Sequence, residues 1–272
     1  MNRVAVIMCV YNADKPSALR EAIDSMLLQT HTKTDIFIYI DGEIKADLKL
    51  VLDEYDKANN KIHLYYNAIN KGLAFGLNSL ISEVLNTGKY HFIARMDSDD
   101  ISYNSRIEEQ VLFFRKNPQI SVLGTGCLEF GASFALDSKI LPARHETLKS
   151  FSVSRCPFIH PSVMFRVAVF EEGNRYPTDT ALTEDMALWF ELLAKGYNFA
   201  NLDVVLLKYR LNEDTLKRRK GFSKCYSEIK LRFKYMYLLN ECSLKNSLLI
   251  LSRVFFHLAP TPIIALAYKK LR

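Results

Sequence analysis

The first 126 residues alternate between short apolar runs and stretches whose apolar positions recur every three or four residues. Residues 4–10 form an unbroken run rich in Val and Ile, the pattern of a strand buried on both faces. Leu19, Ile23, Met26 and Leu27 then fall at helical spacing over 16–28, with Pro16 at the first turn, where its missing N–H costs nothing. The alternation continues with a strand over 35–41 (DIFIYID), a helix over 45–57 and a strand over 61–66. Next come a helix over 71–85 (Leu73, Leu77, Leu80, Ile81, Val84), a strand over 90–96, a helix over 103–116 and a strand over 120–124. Strands and helices alternating through short connections predict an α/β fold with a mostly parallel central sheet flanked by helices. In such sheets ligands bind beyond the carboxyl ends of the strands.

Beyond residue 127 the pattern loosens. Residues 146–154 and 184–195 read as helices, 162–166 and 204–209 as extended, and everything from 214 onward as helical. Residues 247–268 are strongly apolar, but Arg253, His257, Pro260 and Pro262 interrupt them. A spanning helix needs about 20 predominantly apolar residues, so an interfacial element is expected rather than a transmembrane one. The run at 4–10 is too short to span and no small-residue cleavage site follows it, so no signal peptide is expected.

Composition changes this picture in one respect. A chain of 272 residues with 49% hydrophobic and 24% charged residues accommodates one large α/β domain and a small appendage. The net charge of +6 is unevenly placed. Residues 208–272 carry fifteen Lys and Arg against four Asp and Glu, leaving 21 basic and 26 acidic residues for 1–207. An acidic body with a basic tail divides the chain into a domain over 1–210 and a helical C-terminal extension over 211–272 suited to an anionic membrane surface. No recognised RNA or DNA module accompanies the tail, so no nucleic-acid partner is expected. Five scattered cysteines without a CxxC pair fit a reducing cytosol and argue against zinc or a disulfide framework.

Candidate chemistry begins at Asp97-Ser98-Asp99-Asp100, directly after the apolar strand. Three carboxylates in four residues repel one another unless a cation joins them, and hard divalent ions favour such oxygen ligands. The plain alternative is capping of the following helix by Asp99 or Ser102. Thr183-Glu184-Asp185 opens a helix, where acidic residues suit the dipole; either they cap it, or one carboxylate serves as a general base. Asn70-Lys71-Gly72 precedes another helix, and Gly72 permits close backbone approach to a ligand. His160 lies between prolines in Cys156-Pro157-Phe158-Ile159-His160-Pro161-Ser162.

Taken in order, VIMCVYNADKPSALREAIDSMLLQT, IDG, NKGLAFGLN, RMDSDD, HPSVMFR and TEDMALWFEL resemble the inverting glycosyltransferase family 2, over about residues 3–210. The bacterial enzymes that assemble O-antigen and exopolysaccharide repeats on a polyprenyl-diphosphate carrier are the most similar in look. The resemblance implies a GT-A fold with a Rossmann-like nucleotide-binding half, and hexosyl transfer from a UDP-sugar, UDP-galactose or UDP-glucose with an N-acetylhexosamine donor as the alternative, to a lipid-linked saccharide. It implies Mn²⁺ or Mg²⁺ held by Asp99 and Asp97, with Asp185 as catalytic base and Glu184 beside it. Val10 and Tyr11 would line the nucleoside pocket with Asn12, and Asp41 would accept a hydrogen bond from uracil. Lys71, Gly72, Ser98 and His160 would complete the donor-binding set. It further implies a cytoplasmic enzyme held peripherally on the inner face of the membrane. Where the family often shows Asp-Asp after the second strand, this chain has Ile40-Asp41. A sugar-nucleotide nucleotidyltransferase would need a glycine-rich basic loop after the first strand, and Tyr11-Asn12-Ala13-Asp14-Lys15-Pro16 has no glycine.

Overall fold

A computed structural model describes residues 2–180, 183–218, 221–260, 263–264 and 267–268. The first half runs β1 (Val4–Val10), α1 (Pro16–Leu27), β2 (Thr34–Asp41), α2 (Ala46–Ala58), β3 (Ile62–Asn67), α3 (Leu73–Thr87), β4 (Phe92–Arg95), β5 (Ile101–Ser102), α4 (Arg106–Lys116) and β6 (Ile120–Phe130). The second half runs α5 (His145–Ser152), β7 (Met164–Arg166), α6 (Ala168–Glu171), α7 (Glu184–Ala194), β8 (Asn198–Arg210), α8 (Thr215–Arg218), α9 (Phe222–Leu238) and α10 (Leu244–Leu258).

All eight strands form one mixed sheet in the order β3-β2-β1-β4-β7-β6-β8-β5. The β3-β2-β1-β4 half is parallel, as the alternating pattern requires. Side chains alternate across it. Val4, Val6, Met8 and Val10 pack toward Leu19, Ile23 and Leu52 of α1 and α2, whereas Ala5 and Ile7 pack toward Leu77, Leu80 and Ile81 of α3. The expected 120–124 strand extends to Phe130, and the expected 103–116 helix starts three residues late at Arg106.

Strand β5 was not expected. It follows β4 in the chain after five residues, yet it pairs with β8 at the far edge of the sheet. Four strand spacings measure about 19 Å, and five residues can bridge that only when nearly straight. Residues 98–99 instead form a turn, so the sheet curls and carries β8 and β5 back over the end of β4. The Asp97–Asp100 segment is the strap across that curl. Gln29 fastens its far end: its amide donates to the carbonyls of Ser25 and Tyr103 (both 2.9 Å), and its carbonyl accepts the Ile107 N–H (3.0 Å).

The C-terminal helices pack on this body. Tyr235 of α9 stacks on Phe190 of α7 at 4.9 Å, and Arg232 donates to the carbonyls of Ser152 and Val153. Helix α10 returns along α9, bringing Ile250 to Met236 and His257 to Glu228. No described helix is long and apolar enough to cross a membrane. Of the basic run 217–220, Arg219 and Lys220 lie outside the described residues, as do 261–262, 265–266 and 269–272 of the tail.

Candidate active site

The strap brings one oxygen each of Asp97, Asp99 and Asp100 within 4.8 Å of one another. Asp97 pairs with Arg95, which is 2% exposed. Asp100 is wholly buried; one oxygen accepts the Arg210 N–H (2.7 Å), and the other has no partner among the described residues. The Arg210 side chain donates to the Asp99 carbonyl (2.7 Å) and pairs with Glu21. Burial, then the charges of Asp97 and Asp14, pushes Asp99 up to about 6; burial and its two neighbours raise Asp100 well above the ordinary carboxylate range. Asp14 joins the group, accepting from the Tyr11 N–H (3.1 Å) and the Ser98 hydroxyl (2.9 Å); burial raises it to about 6. Capping does not explain the acids: the N-cap of α4 is Ser105, without a side-chain hydrogen bond. A cluster of hard oxygen ligands, one of them buried and unanswered, fits Mg²⁺ or Mn²⁺.

Next to this cluster lie the carboxyl ends of β1 to β3. Val10 ends β1 fully buried, while Tyr11 and Asn12 are exposed. Asp41 ends β2, and its two oxygens accept the backbone N–H groups of Lys71 (2.8 Å) and Gly72 (2.9 Å). This grip holds Gly72 at φ +87°, a conformation that glycine adopts without strain. The Lys71 ammonium lies 4.3 Å from the centre of the Phe75 ring.

The third group comes from the second half. His160 sits in a single 3₁₀ turn, with Nε2 3.0 Å from the Tyr176 hydroxyl. Burial, helped by the Arg95 charge, drives it well below the usual histidine range, so it is neutral. Asn78, within the NKGLAFGLN segment, fixes Tyr176 by accepting its N–H (2.9 Å) and donating to its carbonyl (2.8 Å). Glu184 and Asp185 occupy the first turn of α7, where Asp185 accepts the Met186 N–H (2.7 Å), so it serves the helix end as capping predicts. The Cys156 thiol points at the other Asp185 oxygen (3.9 Å). Burial raises Glu184, Asp185 adds to the rise, and Arg95 opposes it.

Arg95 is the common element. Its charge acts on Asp97, Asp99, Asp100, Tyr176, His160 and Glu184. The buried guanidinium thus pairs with Asp97 and its charge reaches motifs nearly ninety residues apart in sequence. Sequence reasoning missed Arg95, Asp14, Tyr176 and Arg210 as site residues. A charge inside the apolar strand FIARM was a usable signal; the others had none.

The model of the family "Glycosyl transferase family 2" matches residues 5–173, more than half of the chain. The chain belongs to this family of glycosyltransferases. An Escherichia coli relative, UDP-Gal:alpha-D-GlcNAc-diphosphoundecaprenol beta-1,3-galactosyltransferase, is 32% identical, over 98% of this chain and 96% of its own. The amylovoran biosynthesis glycosyltransferase AmsE of Erwinia amylovora is 28% identical, over 98% of both chains. Among solved structures, the family 2 chain resembles the mannosyltransferase PcManGT of Pyrobaculum calidifontis, in complex with GDP-Man and Mn²⁺. The TM-score is 0.66 at 16% identity, covering 98% of this chain and 74% of that one. That likeness identifies the curled sheet as the GT-A fold. Family membership also sets aside the nucleotidyltransferase alternative.

Proposed function

We propose that the protein moves a hexose, galactose or glucose, from its UDP-sugar to a hydroxyl of a saccharide carried on polyprenyl diphosphate, in the assembly of a surface polysaccharide. What supports the reading is the buried Arg95, which pairs with Asp97 of the acidic cluster and whose charge also acts on Glu184, next to Asp185. The name of the E. coli relative supports the UDP-galactose donor and the lipid-diphosphate acceptor.

Asp97 and Asp99, joined by Asp100, would hold the Mn²⁺ or Mg²⁺; when bound, the ion neutralises charge on the diphosphate. The strand ends from Val10 to Asn12, Asp41, Lys71, Gly72, Ser98 and His160 bind and orient the donor. Asp185 takes the proton from the acceptor hydroxyl as that oxygen bonds to the anomeric carbon and the bond to UDP breaks. One displacement inverts the configuration, so an α-linked donor gives a β-linked product. Neutral His160 offers a hydrogen bond without adding charge. Residues 1–210 carry this chemistry, and the basic extension 211–272 keeps the enzyme peripherally on the cytoplasmic face of the membrane, where its acceptor lies.

The test is a panel of UDP-sugars with GlcNAc-diphosphate on a short alkyl chain, with Mn²⁺ or with chelator. A β-linked disaccharide from UDP-galactose or UDP-glucose, lost with chelator, is expected. An α-linked product, or full turnover in chelator, overturns the mechanism. Transfer from UDP-N-acetylhexosamines alone overturns the donor.

A further inference from the structure

Helix α10 faces the wrong way for a helix on the outside of a protein. Such a helix normally turns its apolar stripe inward. Here Leu244, Leu248, Leu251, Phe255 and Leu258 are each between 50% and 78% exposed. Their spacing of four, three, four and three residues lines them up on one side of the helix. The side turned toward α9 carries Ile250, Arg253 and His257 instead.

The cause is Glu228, buried on α9. It accepts from Arg232 (2.7 Å), Arg253 (3.1 Å) and His257 (2.7 Å). Burial works to raise its pKa, but the His257 hydrogen bond and the two guanidinium charges outweigh it and hold it far below the ordinary value. Rotating α10 to bury its leucines would strip two of these three partners from a buried carboxylate. The helix is thus pinned with its leucines outward.

The surroundings select the occupant. On α9, Phe222, Tyr226 and Tyr237 are exposed, as are Lys230 and Lys234, and Lys245 is exposed on α10. Between 221 and 260 the acidic residues are Glu228, which is buried, and Glu241, which accepts from Ser150. Exposed leucines on α10, with exposed lysines and aromatic side chains on the helix packed against it, match the boundary between anionic headgroups and acyl chains. A helix of fifteen residues is about 22 Å long, shorter than a bilayer core of about 30 Å, so it lies along the surface rather than across it. The 3.5-residue spacing also suits a coiled coil, but the flanking Lys245, Ser247, Ser252 and Val254 include no acidic residue, so a second copy would find none of the charge pairs that select a partner helix.

We propose that α10 lies flat in an anionic lipid surface, with Leu244, Leu248, Leu251, Phe255 and Leu258 among the acyl chains and Lys230, Lys234 and Lys245 at the phosphates. The proposal rests on the peripheral-membrane reading above and names the surface that carries it.

The experiment is co-sedimentation of the full chain with vesicles of phosphatidylcholine, with and without phosphatidylglycerol. It compares the parent with a triple variant (Leu248→Glu, Leu251→Glu, Phe255→Glu) and a double variant (Lys230→Glu, Lys234→Glu). Transfer to the short-chain acceptor is followed in parallel. The parent should bind the anionic vesicles; the triple variant should lose more than about tenfold in partition, the double variant should lose the preference for phosphatidylglycerol, and both should keep soluble transfer. Parent-like binding by the triple variant overturns the surface while leaving a peripheral enzyme. A parent that binds neither vesicle overturns both readings. A parent dimer in light scattering that the triple variant dissociates overturns the lipid occupant in favour of a second copy.

Discussion

Replacing Arg95 with methionine keeps the unbranched stem of the side chain and removes the charged guanidinium. Two effects oppose each other. Breaking a buried ion pair from one side costs about 3 kcal/mol at the low end of the usual range, which suits Asp97, whose side chain is 30% exposed. Against that, two guanidinium nitrogens of Arg95 are buried without partners among the described residues, and their removal returns about 1–2 kcal/mol. The net loss of about 1–2 kcal/mol lowers the metal-free Tm by roughly 3–6 °C for a chain of this size. Metal affinity should move the other way. Arg95 is a cation sharing Asp97 with the incoming ion; charges roughly 6 Å apart interact by about 3 kcal/mol at an effective dielectric of 20. Screening at the half-open Asp97 removes about half of this, which leaves about a tenfold gain in Mn²⁺ affinity. Calorimetric titration of Mn²⁺ into the folded variant measures it, with thermal melts in parallel. A folded variant whose Mn²⁺ affinity is unchanged or weaker would refute the electrostatic role of Arg95.

Three other variants probe separate parts of the site. Asp185→Asn should lower kcat by about 10²–10⁴-fold with UDP affinity intact by calorimetry; near-parental turnover removes Asp185 as base. Gln29→Leu leaves the Ile107 N–H unanswered, while the Tyr103 carbonyl keeps the Arg106 N–H (3.1 Å), and should cost about 1–3 kcal/mol in urea unfolding; a midpoint shift near zero shows that the strap is not fastened there. Asp99, raised from 3.8 to about 6, is bound to a proton more readily in the folded than in the unfolded state. Its destabilising charge is therefore present above pH 6 and fades as the pH falls toward 4. Metal-free Asp99→Asn should melt higher than the parent at pH 7.5, with the gap closing by pH 4; a constant gap contradicts the raised value.

Much of the parallel half was legible because each strand and helix declares itself within ten or fifteen residues. The curl was not. Strand β5 has two residues, and its pairing with β8 joins positions about a hundred apart, with no local periodicity to betray it. The acidic motifs stood out because like charges crowd together in each. Their meeting through Arg95 was hidden, since it depends on which way β4 presents one side chain. Asn78 lay in a segment already singled out, but its partner Tyr176 is 98 residues away. Gln29 likewise falls just after the 16–28 helix, with nothing local to show that it ties down the turn into α4.

Arg210 ends β8, grips the main chain at Asp99 and Asp100, and immediately precedes the basic extension. Chimeras that exchange extensions between relatives must therefore splice after it. A junction a few residues earlier would import a foreign clasp for the acidic turn, and a change meant only for the extension would also shift Asp99 and Asp100.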